Sequence, residues 1–342
     1  MTNEPVSDQV ILLDHGSGGL ASQQLIGELF LKYLDNPILR GLEDSAVVDN
    51  RPGRLAFTTD SYVVDPIFFP GGDIGKLAVH GTINDLAMRG AEPICLSLGL
   101  ILEEGLPLTD LETIISSISE ACKQSGVPIV TGDTKVVPRG KADKIFINTS
   151  GVGIVPETIS LSSRQAAVGD KVILSGTMGD HGITIMTRRA GIALQGNLQS
   201  DTMPLHRLVA RLLAEFPGSV HTLRDPTRGG VATSLNEIAA ASGLSIQLDE
   251  KSLPVRPEVR AACEILGLEA LYLANEGKLL AVVAPEPAPA LLSLLKATPE
   301  GQDAAIIGTV VAGTAGRVVI NTPIGGSRVV SPLHGEPLPR IC

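Results

Sequence analysis

The hydrophobic positions of the chain follow two spacings, period two in short runs and a helical period in longer ones. Residues 54–59 have the first spacing, which predicts a strand with Leu55 and Phe57 turned inward and Asp60 at its end. Residues 145–155 are a longer apolar run that predicts another strand. The first half of the chain is therefore predicted to contain a sheet.

One predicted helix has an acid on its apolar side. Asp73 is expected to begin the helix, and Asp85 falls in the middle of its apolar stripe. A carboxylate aimed at the buried side is costly unless it is paired or bound to a metal. A structural aspartate that accepts backbone hydrogen bonds would give the same pattern, but we favour a metal-binding or other functional role for Asp85.

A third acid follows a short apolar run. Residues 127–130 predict a buried strand that leads directly to Asp133 and Lys135. With Asp60 and Asp133 at strand ends and Asp85 on the helix between them, three carboxylates would converge. Carboxylates suit Mg²⁺, which usually comes with substrate phosphates. The sequence thus predicts a magnesium site with Lys135 as a neighbouring cation.

Two glycine-rich loops precede predicted helices, a position that suits an anion such as phosphate. The second, residues 224–230, contains Asp225 and Gly229, although Asp225 and Arg228 could form a plain turn ion pair. The first loop lacks the Gly-Lys-Ser/Thr of a Walker A motif, and a tight turn explains it equally well. Its candidate anion-binding residues are Gly16, Ser17, Gly18 and Gly19.

The second half repeats the order of strand, glycine loop and helix, so we expect two domains. Helices are predicted over residues 183–190, 205–216, 231–241 and 288–297, with strands over 170–175, 306–311 and 317–320. The last two strands are expected to pair. The predicted division is an N-terminal α/β domain over 1–156, a C-terminal α+β domain over 157–320 and a flexible tail over 321–342.

Composition limits the classes of partner. The chain has 342 residues, 44% apolar and 19% charged, enough for two domains with their own cores. With 27 basic and 37 acidic residues the formal charge is −10, which argues against nucleic acid or an anionic membrane as the main partner. Neither a secretory signal nor a membrane span is visible in the sequence, so we expect a cytoplasmic protein.

The four cysteines form no C-x-x-C or zinc-like spacing, and only one stands outside an apolar stripe. Cys95, Cys122 and Cys263 are predicted to be core residues. Cys342 follows a segment rich in proline, including Pro337 and Pro339, which predicts an extended, unpaired arm. A frayed terminus that happens to end in cysteine is the alternative, but the acids and glycine loops upstream favour a reactive thiol.

Together these motifs resemble a known family, the HypE carbamoyl dehydratases of hydrogenase maturation, within the superfamily of aminoimidazole ribonucleotide synthetase and selenophosphate synthetase. Each loop alone is unspecific, whereas a terminal cysteine after the whole series is highly specific. The matching motifs are Asp14-His-Gly-Ser-Gly-Gly19, Thr59-Asp60-Ser61, Asn84-Asp85, Gly132-Asp-Thr-Lys135, Arg224-Asp-Pro-Thr-Arg-Gly-Gly230, Asn275-Glu-Gly277 and Pro339-Arg-Ile-Cys342.

The resemblance implies a two-domain fold of the aminoimidazole ribonucleotide synthetase type, with ATP in the cleft and a homodimer that shares a β-barrel between N-terminal domains. It further implies that the carbamoyltransferase HypF loads Cys342, that ATP drives dehydration of the S-carbamoyl group to a thiocyanate, and that the HypC–HypD complex accepts the cyanide for the iron of [NiFe]-hydrogenase. Lys135 and Glu276 would lie beside the inserted tail, polarise the carbamoyl group and accept protons.

Two other functions remain open at this point. A selenophosphate or aminoimidazole ribonucleotide synthetase could use the same fold, although the reactive residue that selenophosphate synthetases usually carry near the N-terminus is absent, because the first cysteine is Cys95. A non-catalytic carrier with a docking tail is the second alternative, and it leaves the acids and glycine loops without a role. Consumption of ATP by the carbamoylated protein would separate an enzyme from a carrier.

Overall fold

A computed structural model describes residues 9–49, 51–192, 196–335 and 339–342 of the chain. The first half is built on a four-stranded sheet and the second half on a seven-stranded sheet. In the first half the helices are α1 (Leu20–Leu25), α2 (Leu31–Leu34), α3 (Ile74–Met88) and α4 (Leu108–Ser125), with a π-helical turn at Ile26–Phe30. The strands there are β1 (Arg54–Tyr62), β2 (Phe68–Phe69), β3 (Gly72–Asp73), β4 (Glu92–Glu103), β5 (Ile129–Val137) and β6 (Ile145–Val155).

The four-stranded sheet has the order β1-β6-β4-β5, and it is antiparallel except for the β4–β5 pair. Asp60 on β1 lies opposite Thr149 on β6, which lies opposite Leu98 on β4, which lies opposite Gly132 on β5. Asp60 lies within β1 and Asp133 lies within β5, because each strand continues past its aspartate; the prediction that they end strands is wrong.

One face of this sheet is covered by helices and the other is open. The predicted helix start at Asp73 is confirmed, since its carboxylate accepts hydrogen bonds from two backbone N–H groups of α3. Leu55 and Phe57 point to the open face and are each 71% exposed. The prediction that they turn inward is wrong, because Thr58 and Asp60 occupy the side of β1 that faces α3, and side chains alternate strictly along a strand.

The second half places helices around a larger mixed sheet of order β13-β12-β9-β11-β7-β10-β8. The predicted pairing of the two late strands is wrong: β9 separates β11 from β12, pairing antiparallel with the former and parallel with the latter. The strands are β7 (Lys171–Leu174), β8 (Val220–Arg224), β9 (Ser245–Asp249), β10 (Leu280–Val283), β11 (Ala305–Val311), β12 (Arg317–Asn321) and β13 (Ser327–Val330). The helices are α5 (Asp180–Ala190), α6 (His206–Glu215), α7 (Gly230–Ser242), α8 (Pro257–Leu266) and α9 (Ala288–Lys296).

The tail is not an unpaired arm over its whole length. Its first part forms β13, antiparallel to β12, because the prolines at 323 and 332 flank this strand instead of interrupting it. Its last residues lie against the end of β1, with Ile341 only 5% exposed and packed into the N-terminal core. Residues 336–338, including Pro337, lie outside the described residues. Within the described ranges, no helix is both long and apolar enough to cross a membrane.

A candidate active site between the two domains

Two of the predicted acids meet on the helix-covered side of β1. Thr58 donates its hydroxyl to Oδ2 of Asp85 at 2.8 Å, and Asp60 is the next residue of β1 that faces the same way. Burial raises the pKa of Asp85, and the negative charge of Asp60 raises it further against the hydrogen bond from Thr58. Carboxylates that repel each other in a half-buried place favour a bound proton or cation.

The C-terminal domain adds a third carboxylate through the loop that joins β8 to α7. Burial, and secondarily the charge of Asp85, raises the pKa of Asp225 to about 7. The loop ends at Gly229 and Gly230, which have φ of +75° and +61°. A Cβ on Gly230 would lie 2.5 Å from the carbonyl oxygen of Leu273, so only glycine lets this loop pack so closely.

Asn275 fastens this loop to the segment that carries Glu276. Its side-chain amide donates to the carbonyl of Pro226 at 2.8 Å, and its oxygen accepts from the backbone N–H of Gly179 at 2.7 Å. Three loops are therefore held around one buried amide. This explains why an Asn stands directly before Glu276 and ahead of the fully buried strand β10.

Glu276 is a buried acid without a complete set of partners. It is 3% exposed, its backbone N–H donates to Asp201 Oδ1 at 3.1 Å, and its Oε1 has no hydrogen-bond partner among the described residues. Burial raises the pKa of Glu276 well above its usual range, and Asp201, Asp225 and Asp60 raise it further. A buried carboxyl group of this kind is suited to exchange protons with a neighbouring reactant.

Cys342 lies at the same place. The backbone N–H of Val63 donates to the carbonyl of Cys342 at 3.1 Å, which fixes the residue at the end of β1. Burial raises the pKa of its thiol well above the usual range, the charge of Glu276 raises it further, and Arg228 opposes them. The thiol, Glu276 and Arg228 are therefore electrostatic neighbours in the inserted conformation.

Arg228 stands between two cavities. A cavity of about 420 Å³ is bordered by Arg228, Ser61 and Cys342. A second, of about 300 Å³, is bordered by Arg228, Asp85 and Asp225. Arg228 also lies 3.8 Å from Asp60, so one guanidinium borders both cavities and pairs with an acid of β1.

The first glycine loop belongs to a different part of the N-terminal domain. A cavity of about 200 Å³ is bordered by Gly16, Gly18, Asp133 and Lys135. A Cβ on Gly16 would lie 2.5 Å from the backbone nitrogen of Val136, so this glycine lets the loop lie directly on β5. Lys135 donates to Asp133 at 2.9 Å and holds the pKa of that carboxyl below its usual range.

The predicted site residues therefore fall into two groups within one chain. The sheet order separates Asp60 from Asp133 by three strand spacings, about 14 Å along the sheet, and the two side chains point to opposite faces. One chain does not bring the predicted triad of Asp60, Asp85 and Asp133 together, nor does it place Lys135 beside Cys342. In the described ranges no set of three or more acids, histidines or cysteines has the spacing of a metal site.

Sequence reasoning missed several residues that the fold brings to the site. Arg228 pairs across the domains with Asp60, and not with Asp225 in its own turn. His181 is fully buried, and its Nε2 lies 2.8 Å from the carbonyl of Ile341. Lys278 forms a buried ion pair with Asp201 at 3.3 Å, and the same carboxylate accepts the backbone N–H of Glu276. A lysine directly before the apolar run of β10 was the one signal that could have indicated it.

Comparison with known proteins identifies the family. The model for the N-terminal domain of AIR synthase related proteins matches residues 42–155, and the model for their C-terminal domain matches residues 167–321. Carbamoyl dehydratase HypE of Azotobacter vinelandii is 55% identical over 328 residues, 96% of each chain. The chain belongs to the HypE family.

Solved HypE structures agree with the fold described above. The structure of hydrogenase maturation protein HypE in complex with ATP matches with a TM-score of 0.93 at 52% identity, over 97% of this chain and 99% of that one. A chain of the HypE–HypF complex matches with a TM-score of 0.79 at 47% identity, over 90% and 99%. The resemblance to HypE and the two-domain fold inferred from the motifs are therefore confirmed.

Proposed function

We propose that this chain uses ATP to dehydrate an S-carbamoyl group on its own Cys342, which leaves a thiocyanate. The observation that carries the proposal is the position of Cys342, inserted between the domains beside Glu276 and next to the acidic cavity that Arg228 borders. Membership of the HypE family, whose members are carbamoyl dehydratases, and the ATP bound to a solved HypE relative support the same chemistry.

The reaction balances with ATP as the only other reactant. The carbamoyl oxygen attacks the γ-phosphorus and ADP leaves; the C–O bond then breaks, phosphate leaves and the nitrogen loses two protons to form the C≡N bond. Glu276 is the base that we assign to a nitrogen proton, because its Oε1 is buried without a hydrogen-bond partner among the described residues and its charge raises the pKa of the Cys342 thiol. Arg228 would stabilise negative charge on the phosphorylated oxygen.

Magnesium and the nucleotide phosphates fit the acidic cavity by the chemistry of its donors. Asp85 and Asp225 border this cavity and Asp60 acts on both through its charge; the three do not have the spacing of a metal site in this structure, but carboxylate oxygens are what hard divalent cations prefer, and a cation would relieve their mutual repulsion. When bound, Mg²⁺ would neutralise phosphate charge and orient the γ-phosphoryl group. Gly229 is the N-cap of α7, and the N-terminus of that helix suits phosphate oxygens, although the N–H of Gly230 itself already donates to the carbonyl of Thr227 at 2.9 Å.

The second group of residues would join the site from another copy of the chain. The open face of the four-stranded sheet carries Leu55, Phe57 and the 43% exposed Ile101, as expected for a sheet that closes a barrel with a second copy. If the β5 edge of one copy meets the β1 edge of the other, then Asp133, Lys135 and the loop from Gly16 to Gly19 approach Asp60 and Cys342 across the dimer. Lys135 would then polarise the carbamoyl group of the second copy.

A mixture of two inactive variants tests this arrangement. A chain with Lys135→Met keeps Glu276 and Cys342, whereas a chain with Glu276→Gln keeps Lys135. If Lys135 acts across the dimer, mixed dimers regain one complete site, and ATP-dependent dehydration returns after subunit exchange. Dehydration that stays absent in exchanged dimers, or sedimentation of the wild-type chain as a monomer at micromolar concentration, would contradict the dimer proposal.

We assign the partners from the relatives and the resemblance. A solved complex of HypE with HypF supports HypF as the carbamoyl donor, and the family resemblance implies the HypC–HypD complex as the cyanide acceptor. Both roles require the inserted segment to leave the cleft.

Phosphate release tests the proposed reaction. Carbamoylated protein should release one phosphate per chain from ATP, whereas Cys342→Ser, which accepts little or no carbamoyl group, should release none above background. Equal release by the two proteins would exclude this function.

A further inference from the structure

The segment at residues 339–342 is held almost entirely through its main chain. Val63 and Asp65 donate backbone N–H groups to the carbonyls of Cys342 and Arg340, at 3.1 and 3.2 Å. The alternate spacing of the donors and the opposite chain direction are those of an added antiparallel strand. Arg340 has a φ of +52° and residues 339–340 form a turn, so the segment runs antiparallel along the end of β1 without being an extended strand throughout.

Two side chains of α5 reach the remaining carbonyls. Arg189 donates through Nη1 to the carbonyl of Pro339 at 2.8 Å and through Nη2 to that of Arg340 at 2.7 Å, while it also holds the carbonyl of Asp65. His181 Nε2 lies 2.8 Å from the carbonyl of Ile341. All four carbonyls of residues 339–342 thus accept a hydrogen bond from outside the segment.

The contact with His181 fixes its tautomer. A carbonyl oxygen can only accept, so Nε2 must carry the hydrogen, and Nδ1 then accepts from the hydroxyl of Ser200 at 2.8 Å. Burial lowers the pKa of His181, which keeps the ring neutral. The ring is therefore oriented by Ser200 as a donor aimed at the segment.

Side-chain recognition is confined to one position besides the cysteine. Ile341 is buried against the N-terminal core, whereas Arg340 makes ion pairs with Asp65 and Asp143 in which every side chain is more than 40% exposed. Exposed ion pairs contribute little to binding. The groove thus recognises the carbonyl groups of a main chain that turns at Arg340, one buried aliphatic side chain and the cysteine.

We infer that this groove is a peptide-binding site in its own right, which will bind a separate peptide ending in Arg-Ile-Cys when the chain's own segment is displaced, with Arg189 and His181 as the recognition residues. The attached segment competes at a millimolar effective concentration, so a separate peptide binds only after displacement. Binding does not depend on the proposed reaction; processing of a bound S-carbamoyl peptide does.

Binding can be measured with a fluorescein-labelled peptide that has the sequence of residues 333–342. The receptor is the full chain with Ile341→Asp, whose own segment cannot bury a carboxylate and should leave the groove. A second receptor that lacks residues 339–342 covers the case in which the first one misfolds. We expect the fluorescence polarisation of the peptide to saturate with both receptors, and each receptor to bind the peptide at least tenfold more tightly than the wild-type chain does.

Variants separate main-chain recognition from adventitious contact. In the receptor, Arg189→Met removes two hydrogen bonds to the peptide from a charged donor and should weaken binding about tenfold or more. Its neighbour Arg188→Met, which changes an exposed side chain on the same helix, is the matched control and should stay within twofold. In the peptide, aspartate at position 341 should abolish binding, and alanine at position 340 should change it less than threefold.

Two results overturn the inference: no saturable binding to either folded receptor, or equal binding to the Arg189→Met and Arg188→Met receptors. An S-carbamoyl peptide with ATP and Mg²⁺ then tests the chemistry separately. A bound peptide that loses the mass of one water supports both the groove and the reaction. Binding without that loss keeps the groove and counts against the proposed function.

Discussion

Ile341 allows the insertion of Cys342 to be measured directly. Its side chain is 5% exposed in the N-terminal core, so replacing it with alanine removes three buried carbons from the inserted state and none from the released state. Burial of each CH₂ is worth about 0.8 kcal/mol, and large-to-small changes in cores cost about 2–5 kcal/mol. A groove at the domain boundary can partly collapse around the shortened side chain. We therefore expect Ile341→Ala to destabilise the inserted state relative to the released state by roughly 2–3 kcal/mol, which shifts the equilibrium about 30- to 150-fold toward release.

The assay is alkylation of Cys342 by iodoacetamide, followed by peptide mass spectrometry. Burial raises the pKa of the inserted thiol, so labelling proceeds through the released state and its rate follows the fraction released. Ile341→Ala should therefore label about 30- to 150-fold faster than the wild type. Val329→Ala is the control, because the Val329 side chain on β13 is 53% exposed. Its labelling rate should stay within twofold of the wild-type rate. Equal rates for Ile341→Ala and the wild type would refute the docking described here.

Three further predictions concern the acids. Asp85→Asn should lower Mg²⁺-dependent phosphate release at least 100-fold with an unchanged melting temperature, and unaltered release would remove Asp85 from the metal site. Because the pKa of Asp225 is raised to about 7 and its ionised form is the one that we propose to bind the cation, activity should rise as pH increases through 7; Asp225→Asn should lack that step, and a persisting step would assign it to another group. Glu276→Gln should still accept a carbamoyl group on Cys342 but dehydrate it about 10²- to 10⁴-fold more slowly, and wild-type rates would exclude Glu276 as the base.

The sequence predicted those features that depend on local pattern. The apolar stripe around Asp85 and the glycine-ended loop before α7 can be read along a few turns of chain, and the structure has α7 at Gly230–Ser242 where residues 231–241 were predicted. The motif series identified the family because it samples loops from both domains. Local pattern also predicted β6 over the same residues that form it.

Strand order and facing could not be predicted, because they are decided by contacts far apart in sequence. The alternation along β1 predicts that Leu55 and Phe57 are core residues. In one chain they lie on the open face of the sheet, because Thr58 and Asp60 take the side that packs on α3. The separation of Asp133 from Asp60 follows from the sheet order alone. Residues that hold the tail are even more distant, since His181 lies 160 positions from its partner Ile341.

The central claim is that Cys342 carries the group that ATP dehydrates. The most direct test is the mass of the peptide containing Cys342 in carbamoylated protein, before and after incubation with ATP and Mg²⁺. We predict that the carbamoyl adduct on Cys342 loses the mass of one water only when nucleotide is present. A dehydrated adduct on Cys95, Cys122 or Cys263, or one on Cys342 that forms equally well without nucleotide, would contradict the claim.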